Sequence, residues 1–426
     1  MVENRPMPQP DRAVVLVAGA ESPTGLGVAR ALREEGHTLV GLAADVTASP
    51  CRSALWHEIV HDGGDDTQAR IAAIRATAGR YGRPVLVPVR DDVVELVAAH
   101  AEELRTVVDF VLPPADVVTT LLDKTAFHSW AVDHGFPVPH TEIVADQAAL
   151  DAALARVPYP AVIKPFERTP EWQAASPRHK AYRLESAADV DRLGFRLLDA
   201  APRFVVQQWI PGTDADVWFC LVYRDRAGRE VASQVGRKLV QWPVGTGSTA
   251  LATTAADDEL HTLTRDLLDA AGHIGVGSLE VKRSTADGKL YITEPTVGRP
   301  NLQSNIATAA GINLTVLQVR DALGLDLPTP PAPRPAVWIH ETTILRALAV
   351  AASRKALDVR ALVGALRGAK GRMAAFSAPA DRTPLTAELR RLGGKAAGSL
   401  QRKVSRGRAA PAPAPVSAPV RASAEG

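Results

Sequence analysis

The sequence predicts an α/β fold at its start, an α+β fold through its middle and a basic, mainly helical extension at its end. Three observations predict this order. Residues 13–18 (AVVLVA) are a continuous apolar run followed by glycines and an amphipathic stretch, the pattern of a buried parallel strand feeding a helix. Residues 278–295 read as two strands joined across Asp287-Gly288, a strong hairpin signal. Residues 354–408 hold 14 Lys and Arg against 3 acids, whereas residues 1–353 hold 34 against 43, so positive charge is segregated to one end.

Residues 1–11 are polar and Pro-rich and are expected to fray. After the first strand, Gly19, Gly25 and Gly27 allow a tight turn into the helix VARALREEG, which stops at Gly36. The turn lacks the G-x-G-x-x-G spacing of a dinucleotide site, which favours a structural turn over nicotinamide binding. HTLVGLA, RPVLVPV (83–89) and VVDFVLP (107–113) read as further strands of one sheet. A second segment opens with a helix from Leu121-Leu122-Asp123-Lys124 to Asp133, ended by Gly135. The extended PVPHTEIV, the strands PAVIKP and FVVQQWI and two long strands near 216–242 follow. A helix near 257–271, the hairpin, and helices near 302–310 and 314–323 close it. LPTPPAPRP (327–335) reads as a linker, 336–408 as mainly helical and 409–426 as a low-complexity tail. The boundaries that follow are 1–118, 119–326, 327–335, 336–408 and 409–426.

At 426 residues the chain can bury two or three cores, and 46% apolar with 23% charged residues is an ordinary globular composition. It contains no apolar run of membrane-spanning length and no signal-like start. Cys51 and Cys220 stand far apart in no metal-like spacing and read as inert thiols, so a cytoplasmic protein is expected. The basic end lacks the aromatic interleaving of a nucleic-acid surface and reads as a solvated helical face.

The hairpin carries the most informative chemistry. Alternation sets Glu280 and Lys282 on one face and Leu279 and Val281 on the other, while Glu294 is expected to share a face with Ile292 and Leu290. A three-residue loop places Glu280 opposite Glu294; a two-residue loop offsets them by one. Opposed carboxylates repel, and a hard divalent cation such as Mg²⁺ offsets that repulsion. The alternative is a solvent-facing Glu or a pair with Lys282 or Arg283. Lys164 ends an apolar strand, where its ammonium needs a counter-charge, either a phosphate or an ion pair. Lys124 starts a helix, an unfavourable place for a cation unless an anion joins it. The run from Val205 to Gly212 followed by Thr213-Asp214 suits a purine edge met by extended backbone.

Taken in order, DK (123–124), VPHT (138–141), VIKP (162–165), VQQWIPG (206–212), SLEVKR (278–283) and ITEP (292–295) resemble the ATP-grasp superfamily. The resemblance covers about residues 13–325, including a Rossmann-like leading domain, and is nearest to carboxylate–amine ligases. D-aspartate ligase and carbamoyl-phosphate synthetase are more distant. It implies that Lys124, Lys164 and Lys180 hold ATP phosphates. Gln207, Gln208, Trp209 and Ile210 would form the adenine hinge, and Asp214 would bind the ribose. Glu280, Glu294 and Thr296 would hold Mg²⁺ or Mn²⁺, and Arg237 or Arg299 would neutralise an acyl phosphate or grip the substrate carboxylate. The partners implied are a small carboxylate and an amine, and a homodimer is an assembly the sequence allows. Three departures stand out: Thr296 replaces the family's Asn, Arg299 sits one place late, and FERTPEWQAASPRHKAY, carrying Arg178 and Lys180, replaces the Gly-rich flap.

Three other readings compete. One is an ATP-grasp enzyme with another acceptor, such as a thiol, and a second is an ATP-binding regulatory or scaffold protein without turnover. The third is a zinc metalloprotease through His57-Glu58-Ile59-Val60-His61, which matches H-E-x-x-H. That motif needs two helical turns, and Asp62-Gly63-Gly64 breaks any helix at once.

Overall fold

The structure is a computed structural model that describes residues 12–166, 169–176 and 181–394. Arg178 and Lys180 lie outside the described residues, as do the end of the basic extension and the tail.

The leading unit is a parallel sheet of β1 (Val14–Ala18), β2 (Thr38–Ala43), β3 (Glu58–His61) and β4 (Val85–Pro88), in the order β3-β2-β1-β4. β1 buries side chains on both faces, Leu16 in one apolar cluster and Val15 and Val17 in another, as an uninterrupted apolar run requires. The helix after it spans Pro23–Leu32 and so starts earlier than VARALREEG predicts: Pro23 fits the first turn, and Ser22 Oγ accepts the Gly25 N–H at 3.0 Å. A Cβ at Gly25 would stand 2.6 Å from the Gly19 carbonyl oxygen, and one at Gly27 2.1 Å from Asn305 Oδ1. These glycines permit a turn and a close helix contact. VVDFVLP forms a single bridge between Val85 and Asp109 where a strand was expected. Its Val108, Phe110 and Leu112 are buried in the main apolar cluster, so the apolar pattern reported burial without a ladder.

A small antiparallel sheet follows, made of β5 (Thr141–Val144), β6 (Ala161–Pro165), β7 (Tyr182–Leu184) and β8 (Phe204–Gln208), in the order β5-β8-β6-β7. The main sheet contains β9 (Val217–Arg224), β10 (Glu230–Trp242), β11 (Ser248–Thr254), β12 (Gly275–Arg283), β13 (Leu290–Val297), β14 (Ala336–Ile339) and β15 (Gly371–Ala374). Its order is β13-β12-β9-β10-β11-β14-β15. The last two strands come from the segment expected to be mainly helical. AVWI and GRMA are too short to announce themselves, and they exist because the free edge of β11 offers backbone partners to β14, which in turn pairs β15. The same segment grips the leading unit: Arg30 donates to the Ala374 and Phe376 carbonyls at 2.9 and 2.6 Å, and Ser49 donates to Glu388 at 2.8 Å. No helix among the described residues is long and apolar enough to cross a membrane.

Glu58–His61 form β3 and His57 stands just before it, an extended backbone that cannot present both histidines to one ion as a helix does. Glu58 instead accepts from Arg80 and Tyr81, each at 2.8 Å, and His61 Nδ1 accepts the Gly63 N–H at 3.1 Å.

Candidate functional site

The hairpin register is decided inside the strands. Near the turn Arg283 pairs with Leu290 and Val281 with Ile292, the offset register. A bulge between Glu280 and Val281 then shifts the phase, so Glu280 stands directly opposite Glu294. It also corrects the facing of Glu294. Ile292 and Leu290 enter the core beside Leu279 and Val281, whereas Glu294 leaves that face to join Glu280. The Glu294 carboxyl is held above its ordinary pKa, first by the protein around it and then by the charge of Glu280; Lys238 and Lys124 partly offset this. Two opposed acids of this kind suit a divalent cation with hard oxygen preference.

Lys238, on β10, is the residue that sequence reasoning missed. It is 5% exposed, and its ammonium meets Glu280 Oε2 at 2.8 Å. Gln303 donates to the same oxygen at 3.3 Å and to Thr249 at 3.2 Å. Lys238 lies two residues from Gly236, which aligns through Phe219 with Glu280, so strand alternation puts all of them on one face once the register of β10, β9 and β12 is set. By the same alternation Arg237 faces the other way. It pairs with Trp218, and its guanidinium sits 5.4 Å from that ring, across the sheet from the carboxylates. Arg237 is therefore withdrawn from the site.

Arg299 is near the site but engaged. It makes a bidentate pair with Asp91 at 2.5 and 2.9 Å, which ties the leading unit to the end of β13. Asp214 is corrected outright. It is 3% exposed, and its carboxylate accepts from the Gln241 N–H at 2.8 Å, the Gln241 amide at 3.2 Å and the Gly245 N–H at 2.8 Å. It anchors a turn, with Oδ1 accepting two of these bonds and Oδ2 one, and its burial turns it away from an open ribose site.

The two lysines are brought together. Asp123 caps the helix Lys124–Asp133 through the Thr125 and Ala126 N–H groups at 2.9 and 2.7 Å, which fixes Lys124 at the first position of that helix. Lys164, at the end of β6, reaches only Gln207 Oε1 at 3.5 Å among the described residues. Burial and then the charge of Lys124 hold its pKa below the ordinary value. Two cations that disfavour each other mark a place for an anion.

The hinge is ordered. Gln207 donates to Thr141 Oγ1 at 2.8 Å, the Gln208 N–H donates to the His140 carbonyl at 2.8 Å, and the Trp209 N–H donates to the Pro160 carbonyl at 2.9 Å. Ile210 is 6% exposed, and no described hydrogen bond reaches its N–H. Arg183 and Lys282 stand 5.3 and 5.1 Å from the Trp209 ring. Thr296 is buried, and its hydroxyl accepts from Asn301 Nδ2 at 3.3 Å. A separate cavity of about 640 Å³ holds none of these residues, and its charges pair with one another, Arg226 with Asp321 at 3.3 Å and Arg229 with Asp225 at 2.7 Å.

No protein-family model matches the sequence, and no curated protein sequence matches it. Solved structures do match the fold. An ADP complex of PurK, an N5-carboxyaminoimidazole ribonucleotide synthetase, is 18% identical with a TM-score of 0.60, over 79% of this chain and 85% of that one. Biotin carboxylase from Campylobacter jejuni is 15% identical with a TM-score of 0.58, over 76% and 75%. Phosphoribosylglycinamide synthetase from Anaerococcus prevotii is 14% identical with a TM-score of 0.55, over 74% and 76%. At these identities the likeness carries the architecture: the chain has the ATP-grasp fold that its motifs imply.

Proposed function

We propose that this protein is an ATP-dependent ligase that activates a carboxylate as an acyl phosphate and passes the acyl group to an amine. The observation that carries the reading is the in-register pair Glu280–Glu294 on the same fold that brings Lys124 and Lys164 together. Lys124 and Lys164 would hold the phosphates, and the Gln207–Ile210 backbone would meet the adenine edge. Glu294 and Glu280 would hold Mg²⁺, which supplies charge neutralisation of the phosphates when bound. No residue is assigned to the ribose, since Asp214 is spent on its turn.

The γ-phosphoryl of ATP moves to an oxygen of the substrate carboxylate, breaking its bond to ADP. The amine nitrogen then attacks the acyl carbon, phosphate leaves, and the nitrogen loses a proton. The first step needs alignment and positive charge more than a protein nucleophile. Lys238 keeps Glu280 fixed for that alignment. Arg299, held by Asp91 through Nε and Nη2, would meet a carboxylate or phosphoryl group through its remaining N–H donors.

The test is Mg-ATP with pooled amino acids and small carboxylates, resolving the nucleotide products, with Glu294→Gln as control. ADP and phosphate that require a pool and vanish in the variant support the reading. AMP and pyrophosphate would replace acyl phosphorylation by adenylation. ATP binding without turnover in any pool would favour a regulatory protein.

A further inference from the structure

The Glu280–Glu294 pair is asymmetric in its polar partners. No hydrogen bond to the Glu294 carboxylate occurs among the described residues. Glu280 is instead engaged through Oε2, by Lys238 at 2.8 Å and Gln303 at 3.3 Å, while the Thr293 hydroxyl donates to the Glu280 backbone carbonyl at 3.0 Å and stands 3.4 Å from Oε1. One place on from Pro295, the Thr296 hydroxyl already accepts an amide hydrogen of Asn301 at 3.3 Å, and the same amide donates to Ser278 Oγ at 2.9 Å.

Asn301 cannot turn its oxygen toward Thr296 cheaply. Its Oδ1 accepts from the Ser304 N–H at 3.0 Å and the Ser304 hydroxyl at 3.2 Å, at the start of the helix Ser304–Ala310. Rotation would break both bonds and set two donors against donors. The wall beside Thr296 therefore presents amide hydrogens, the positive end of a dipole, and the wall beside Glu280 presents an ammonium. Thr296 and Ser278 are 8% and 2% exposed, so water screens neither.

We propose that this site takes a single divalent ion, held by Glu294 with Glu280, and that Asn301 and Lys238 exclude a second ion from the position beside Thr296. The inference rests on the ligase reading and adds to it the count of metal ions and the residues that set it. Charge agrees: Lys238 already neutralises one of the two carboxylates, and Lys124 and Lys164 supply further positive charge where the phosphates would lie.

The experiment titrates the full chain with Mn²⁺ in the presence of a non-hydrolysable ATP analogue, following free Mn²⁺ by electron paramagnetic resonance. The expected plateau is one bound Mn²⁺ per chain. In Thr296→Asn/Asn301→Ser, which restores a carbonyl oxygen and removes the donor, the plateau rises to two. A plateau of two in the unaltered chain overturns this inference and leaves the ligase reading standing. Absence of any Mn²⁺ uptake by a chain that binds the analogue overturns the ligase reading itself. A plateau of one in the double variant overturns the role of Asn301. If that variant loses its circular dichroism, Asn301→Ser alone, which removes the donor and keeps the Thr296 hydroxyl, makes the same test.

Discussion

Replacing Lys238 by Met should expose how tightly Glu280 depends on it. The ammonium and carboxylate are 2.8 Å apart with side chains 6% and 16% exposed, so the pair is a buried one. Removing one partner of such a pair leaves an uncompensated charge and costs about 3–5 kcal/mol. Glu294, directly opposite, makes the orphaned Glu280 worse off. For a unit of this size each kcal/mol lowers the thermal midpoint by roughly 2–4 °C, so Lys238→Met should melt about 10 °C lower. Glu280→Gln alone should destabilise for the converse reason, since it strands a buried ammonium. The double variant should lose far less than the two losses added, because neither charge is left alone. Divalent cation should restore part of the loss in Lys238→Met and little in Glu280→Gln. The assay is a thermal and urea unfolding series on the four proteins with and without Mg²⁺. Additive losses, or a Lys238→Met unfolding free energy within about 1 kcal/mol of the unaltered protein, would refute the buried-pair reasoning.

Other outcomes follow from the same geometry. Asp214→Ala should cost about 3 kcal/mol by stranding the Gln241 and Gly245 N–H groups, yet leave nucleotide affinity unchanged once the protein is folded; weaker ATP binding by calorimetry at full folding would return Asp214 to the ribose. Lys164→Met should weaken ATP binding on the order of tenfold to a hundredfold, the worth of a charge-assisted bond, while stability rises or holds because a buried ammonium is removed. Glu294 is raised in the fold relative to the unfolded chain, so its contribution to stability is full below the unfolded carboxylate pKa and is lost as pH rises through the raised folded value. Proton and metal compete for it, so Mn²⁺ affinity should fall as pH drops into that raised range, and a flat affinity profile there would contradict the assignment. Glu294→Gln should abolish the profile.

Much of this was legible along the chain because it is written in short-range patterns. The apolar runs of β1, β2 and β4, the helix after Asp257 and the two strands of the hairpin each follow from a few neighbouring residues. The ordered motifs from Asp123 to Pro295 gave the architecture, and Glu280, Glu294, Lys124 and Lys164 came from the same reading. What was missed depends on partners far away in sequence. β14 and β15 exist because β11 has a free edge, and 107–113 meets the leading sheet only at Asp109, through one bridge to Val85.

The sequence by itself determined which residues are strand-like, where the turns fall and which charged groups cannot be buried alone, since composition and periodicity act locally. Only the tertiary structure decided which of those charges find one another. A bulge of one residue turns Glu294 toward Glu280, strand alternation chooses Lys238 over Arg237, and the Gln241–Gly245 turn consumes Asp214. Facing and hydrogen-bond occupancy are properties of packed neighbours, and a shift of one position reverses them.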